Sequence, residues 1–206
     1  MFITFEGIEG SGKTTHVDLL SDYLCEKGLR VVKTREPGGT PVGEALRSVL
    51  LKKDLQVLPL TELLVFLASR AQHVEEVIRP ALEEGNVVLC DRFVDASYAY
   101  QGYGRGIDLG IIETLNRLVT KGVRPNLTIL LDCPVDVGLG RKSADGNLDR
   151  FEKEELSFHQ KIRNAYIELA EDDPKRFVML NARKDLAKTQ EVIREKVEKL
   201  LKSHGV

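Results

Sequence analysis

The octapeptide "GIEGSGKT", Gly7 to Thr14, narrows the possible folds of this chain more than any other feature. It satisfies G-x-x-x-x-G-K-[ST] and stands between an apolar run, "FITF" at 2–5, and a stretch of helical period. Strand, loop and helix in that order are the context a phosphate-binding loop requires. Glycines let backbone N–H groups turn inward around phosphate oxygens, and the start of a helix adds partial positive charge. Gly7, Ile8, Glu9, Gly10, Ser11, Gly12, Lys13, Thr14 and Thr15 are therefore candidates to hold a nucleoside triphosphate. Lys13 can reach the β- and γ-phosphates, and the Thr14 hydroxyl can ligate Mg²⁺.

The rest of the chain supplies the matching architecture. Four more short apolar runs, at 29–34, 86–90, 127–131 and 176–180, show continuous apolarity more than alternation, which suits strands buried on both faces of a parallel sheet. Helical stretches separate them. "HVDLLSDYLCEK" carries Val17, Leu20 and Leu24 on one stripe and stops at Gly28, Thr40–Pro41 opens a second helix, and 60–84 is the longest, interrupted near Pro80. Residues 108–121, 134–142, 152–171 and 185–203 complete the set. This pattern predicts an α/β fold, a doubly wound five-stranded parallel sheet flanked by helices. "VVLCD" (87–91) ends a strand on Asp91, resembling the second acidic element of P-loop enzymes that binds Mg²⁺ directly or through water.

Composition limits what the site can serve. The 206 residues show no linker or composition break, so a single domain spanning 1–206 is expected. A net charge of −2 with no basic stripe argues against nucleic acid as a partner. Cys25, Cys90 and Cys133 lack metal or redox spacing and read as buried thiols, and the four histidines are scattered. "MFITF" is too short for the core of a signal peptide, and no segment approaches membrane-spanning length, so a cytoplasmic location is the default.

No N-K-x-D guanine reader is present, and the further elements of motor ATPases are missing, which leaves the small kinases. Within that group, "FEGIEGSGKTT", "REPGGT" (35–40), "FLASRAQH" (66–73), "DRFVDASYAYQG" (91–102) and "LDRFE" (148–152) together resemble the thymidylate kinase family, in the right order across nearly the whole chain. The resemblance implies transfer of the γ-phosphoryl of ATP·Mg²⁺ to dTMP on a P-loop nucleoside monophosphate kinase fold, in a homodimer. It implies an acceptor-binding region at about 35–107, with Arg70 and Arg92 at or near the acceptor phosphate and Arg35 close by. Phe66 matches the aromatic on which thymine stacks, Ser97 and Gln101 match readers of the base edge, and Tyr100 matches the tyrosine against the deoxyribose. Glu9 matches an acidic residue near the sugar 3′-hydroxyl, Pro37 a proline often preceded by a cis peptide, and Glu36 stands beside it. Tyr98 and Tyr103 have no matching role and read as packing.

The segment 138–155 breaks into small and polar residues, the composition of a lid centred on about 141–152. Its Arg141, Lys142 and Arg150 are the expected catalytic cations beside Lys13 and Arg92, partly offset by Asp145 and Asp149. Gly10 stands where some relatives carry an arginine. "LNARKDL" (180–186) resembles the loop that meets adenine through its backbone, with Ala182 the candidate contact. Other readings stay open at this level. They are a nucleoside kinase using Glu36 or Glu9 as base, a non-catalytic nucleotide-binding module, and a single-strand-binding ATPase.

Overall fold

Continuous apolarity marks the strands that lie in the middle of the sheet. The computed structural model describes residues 1–143, 149–183 and 185–203. Among them β1 (Phe2–Glu6), β2 (Val31–Arg35), β3 (Val87–Asp91), β4 (Leu127–Asp132) and β5 (Phe177–Asn181) pair in parallel in the order β2-β3-β1-β4-β5. All five residues of β1 are buried, whereas β2 and β5 at the edges are only partly covered. Successive side chains divide between the two faces, as the pleat requires. Ile3, Phe5 and Leu89 join one apolar cluster, and Phe2, Val88 and Cys90 join the other.

The helices are α1 (Lys13–Glu26), α2 (Pro41–Leu51), α3 (Pro59–His73), α4 (Arg79–Glu83), α5 (Val94–Ser97), α6 (Leu109–Thr120), α7 (Val135–Ser143), α8 (Leu156–Asp172) and α9 (Leu186–Ser203). The doubly wound parallel architecture expected from the strand and helix pattern is the one observed. The end signals act where they were read. Gly28 adopts a left-handed conformation after α1, with Gly28 N–H donating to Cys25 O and Leu29 N–H to Leu24 O. Thr40 caps α2 by accepting from Gly43 N at 2.9 Å.

Two irregular helical turns refine the pattern, and two expectations need correction. The segment 60–84 is interrupted just before Pro80, as expected, but by a change of helical type. A π-helical turn, Val74–Ile78, joins α3 to α4, and Pro80 falls in the first turn of α4. The wider turn fits a proline that offers no N–H to the residue four before it. Residues 94–104 are helical, α5 continuing into a π turn at Tyr98–Gly104, although no hydrophobic period announces it. The helix expected from 152 starts at Leu156, because Asp149 Oδ1 accepts from the N–H groups of Phe151 and Glu152 and holds a separate turn. Cys25 is exposed, whereas Cys90 and Cys133 are buried; all three are free thiols. Asp145 lies outside the described residues. No described helix is long and apolar enough to cross a membrane.

The phosphate loop rests on α7 backbone to backbone. A Cβ on Gly10 would come 2.0 Å from the Gly138 carbonyl oxygen, and one on Gly138 would come 2.4 Å from the Glu9 carbonyl oxygen. Gly138→Ala must therefore push α7 off the loop, a destabilisation of about 1–3 kcal/mol. At about 2–4 °C per kcal/mol for a domain of this size, the melting temperature should fall by about 2–12 °C. An unchanged value by differential scanning calorimetry contradicts the contact.

Candidate active site

Two adjacent strands deliver the centre of the site. β1 runs into the phosphate loop, β3 ends on Asp91, and the parallel register sets Phe5 opposite Asp91. Their carboxyl ends open into one cavity of about 910 Å³, lined by the phosphate loop, Glu36 and Pro37, Phe66, Asp91 and Arg92, Ser97, Tyr100, Gln101, and Arg141. Carboxyl ends of central strands are where open α/β sheets bind ligands.

At the loop end, Lys13 Nζ donates to the carbonyls of Gly7 (3.1 Å) and Ile8 (2.9 Å). Burial first, then the neighbouring Arg92, lowers its pKa to about 8, against the pull of Asp91 and Glu9. Thr14 Oγ1 donates to Asp91 Oδ2 at 2.8 Å. No cluster of three or more His, Cys, Asp or Glu suited to a metal occurs among the described residues, so an ion here would depend on nucleotide oxygens and water. Thr14 and Asp91 are an oxygen-only pair, which fits Mg²⁺ bound beside phosphates. Arg141 donates to the carbonyls of Gly10 (3.1 Å) and Ala182 (3.4 Å), so the loop, α7 and the segment after β5 meet at one corner of the cavity.

Arg92 stands where the two ends of the cavity meet. It adopts a left-handed φ of 72°, uncommon for a side-chain-bearing residue, and its guanidinium turns back over the loop. It donates to Glu9 Oε1 (3.1 Å) and the Tyr166 hydroxyl (3.0 Å), and it sits 4.9 Å from the Tyr100 ring centroid. The Tyr100 hydroxyl also donates to Glu9 Oε1, at 2.5 Å. Burial opposes ionisation of Glu9, but His159, Arg92 and Lys13 overcome it and hold Glu9 well below the usual carboxylate range. Behind them, Tyr166 donates to Glu6 Oε2 (2.7 Å) and Phe93 N–H to Glu6 Oε1 (2.7 Å), while burial and then Asp95 push Glu6 up to about 8.

The other end is built on α3 and the 94–104 helical segment, which a bidentate pair from Arg176 to Asp95 anchors (2.6 and 2.9 Å). Phe66 is half-buried with its ring 6.0 Å from that of Phe151. Ser97, Tyr100 and Gln101 are buried cavity residues. The Glu36–Pro37 peptide is cis. Glu36 is buried and accepts from Arg70 Nε at 2.6 Å. Arg35, exposed, pairs with Glu44 at 3.0 Å. Tyr98 packs against the cluster of Leu63, Leu67 and Ile112, and the Tyr103 hydroxyl bonds Glu168, so neither faces the loop.

The structure redirects two expected residues. Arg70 borders the cavity but is tied back into the protein. It is fully buried, donating to Glu36, Ser97, Asn116 and the Phe93 carbonyl, which commits four of its five N–H groups to the protein itself. Arg150 stands apart from the phosphate loop. It donates to the Leu50 carbonyl at 2.9 Å and pairs with Glu62 at 2.8 Å, while Lys142 pairs with Glu152 at 3.4 Å. One cavity residue and two buried residues behind it were missed. Arg47 donates to the Pro37 carbonyl at 2.9 Å, and Tyr166 and His159 back Glu9 and Arg92 from α8. Nothing in "FHQKIRNAY" separates those two from the apolar stripe on which they lie.

A sequence profile described as thymidylate kinase matches residues 5–193. A thymidylate kinase of Geotalea uraniireducens is 50% identical over 199 residues, covering 93% of each chain. One from Pseudomonas fluorescens strain SBW25 is 52% identical, covering 94% of this chain and 92% of its own. The crystal structure of thymidylate kinase from Ehrlichia chaffeensis superposes with a TM-score of 0.76 at 37% identity, covering 98% of both chains.

The donor end makes its own prediction. With Lys13 near pKa 8 in the ligand-free protein, phosphate binding must draw in a proton above that pH. The Kd for ATP should be flat to about pH 8 and then rise toward tenfold per pH unit, by titration calorimetry. Lys13→Met should abolish the slope. A wild-type Kd that stays flat to about pH 10 contradicts the lowered pKa.

Proposed function

The chain belongs to the thymidylate kinase family, and we propose that it transfers the γ-phosphoryl of ATP to dTMP, giving dTDP and ADP. The observation that carries this reading is the single continuous cavity, with a phosphate loop at one end and an aromatic, hydrogen-bonding base pocket at the other. A donor and an acceptor nucleotide can meet there end to end.

An acceptor monophosphate has a second pKa near 6 and is already nucleophilic at neutral pH. No general base is needed, so the protein's task is alignment and charge neutralisation. On the donor side the loop N–H groups and Lys13 take the β- and γ-phosphates, and Arg141 and Ala182 border the adenine. Thr14 and Asp91 would hold Mg²⁺, which when bound neutralises charge on the transferring group. On the acceptor side Phe66 stacks on thymine, Ser97 and Gln101 read its edge, Tyr100 lies along the deoxyribose, and Glu9 meets the 3′-hydroxyl. Arg92, with Arg35 and Arg47 at the Pro37 turn, holds the acceptor phosphate; guanidinium forks suit that geometry. Arg70 and Glu36 support this end from inside the protein. The reading places the enzyme in the cytoplasm, with neither nucleic acid nor membrane as partner.

A homodimer is part of the proposal. Exposed apolar side chains continue across three adjoining helices: Val42 and Val49 on α2, Leu60 and Leu64 on α3, Ile111 and Leu118 on α6. Replacing Leu60 and Leu64 together by Arg should shift the protein from dimer to monomer in sedimentation analysis. A wild-type monomer overturns this part.

A coupled assay with dTMP, dUMP, dCMP and thymidine tests the reaction. dTMP should be the best acceptor; turnover of thymidine without dTMP would instead mark a nucleoside kinase. Arg92→Ala should lower kcat/KM for dTMP by about 10–100-fold, the loss expected for a charge-assisted contact, and change the Kd for ATP by less than about threefold. Equal loss on both sides would mean that Arg92 does not divide acceptor from donor.

A further inference from the structure

Resting on the reading of the cavity as a dTMP site, the hydrogen bonds behind the base pocket determine which polar atoms can face the base. Ser97 and Gln101 stand four residues apart on the 94–104 helical segment, both buried and both at the cavity. Each is held from behind by a group with only one hydrogen-bonding character. Arg70 Nη1 donates to Ser97 Oγ at 2.9 Å; a guanidinium cannot accept, so the Ser97 hydrogen is left to point elsewhere. Gln101 Nε2 donates to Glu62 Oε1 at 2.8 Å. A carboxylate only accepts, so the amide must turn its nitrogen toward Glu62 and its oxygen away. Gln101 Oε1 has no hydrogen-bond partner among the described residues.

The pocket is thereby left with a donor on Ser97 and an acceptor on Gln101. Thymine presents the complement, an N3–H donor beside a C4 carbonyl acceptor. Cytosine presents the reverse, an N3 acceptor beside an amino donor. We infer that Glu62 is a specificity-setting positioning residue: by accepting from Gln101 it holds that amide in its acceptor orientation and so selects bases that carry N3–H.

Glu62 is built to stay in place. It is fully buried on α3, and two guanidinium groups close on it, Arg105 with contacts of 3.3 Å to each oxygen and Arg150 at 2.8 Å. Arg105 is held in turn by Glu154 at 2.6 Å. Burial of a charge in this way demands complete pairing. Gln101 is thus oriented by a carboxylate that is itself immobilised from two sides.

The test is the ratio of kcat/KM for dTMP to that for dCMP. In Glu62→Gln the side chain at 62 can donate as well as accept, so the Gln101 amide is free to reverse. The ratio should fall by at least about tenfold, because a reversed amide opposes the thymine edge, while the Kd for ATP stays within about twofold. Arg105→Met removes one cation from the same carboxylate but leaves the Glu62–Gln101 bond; it should lower the melting temperature and preserve the ratio. If Glu62→Gln does not fold, Glu62→Asp keeps the charge, withdraws it from Gln101 by one methylene, and should lower the same ratio. A proportional loss with both nucleotides, or a ratio unchanged in the folded variant, overturns the inference. A wild-type enzyme that ignores dTMP overturns the functional reading itself, so the two failures are distinct.

Discussion

The parallel pairing of β1 with β3 is the constraint on which everything else depends. Because the two strands run the same way, both leave the sheet at one edge, and the Arg92 N–H closes the ladder by donating to the Phe5 carbonyl at 2.9 Å. One strand then enters the phosphate loop and the other delivers Asp91 and Arg92 against it. A slip of two residues would carry Asp91 about 7 Å along the strand, out of reach of Thr14. What holds the register is burial on both faces. Phe2 and Val88 belong to one apolar cluster and Ile3 and Leu89 to the other, so a one-residue slip would place every side chain on the wrong side.

On that frame the site keeps a chain of buried charges, each answered by another. Glu6, Tyr166, Arg92, Glu9 and Tyr100 form a continuous relay of hydrogen bonds from the sheet to the cavity. Arg92 is held in a backbone conformation that costs of order 1 kcal/mol, and three side chains around its guanidinium maintain it. The same arrangement keeps Glu9 ionised despite burial, whereas at Glu6 burial, and then Asp95, outweigh Arg92 and push the carboxyl the other way.

Much of this was legible in the sequence, for identifiable reasons. The placement of Lys13, Thr14 and Asp91 was readable because it is backbone-local, tied to strand ends and a glycine pattern. Gly28 and Thr40 were readable because caps use few residue types. Arg70 and Arg150 were not, because an arginine's partner is a matter of tertiary placement: the first turns inward to Glu36 and the second away to Glu62. His159 and Tyr166 were hidden for a related reason. They occupy the apolar face of α8 beside Phe158 and Ile162, and helical period alone cannot separate a core residue from one whose polar tip reaches the site. The 94–104 helix escaped because it contains a π turn, whose spacing matches neither regular period.

The contact between Gly10 and Gly138 reaches beyond this one protein. Two positions 128 residues apart share a space that holds no side chain from either. A chain of this architecture that acquires an arginine at position 10 must first lose the close approach of α7, whereas one that enlarges position 138 displaces the loop itself. Sequence change at either place is therefore conditional on the other.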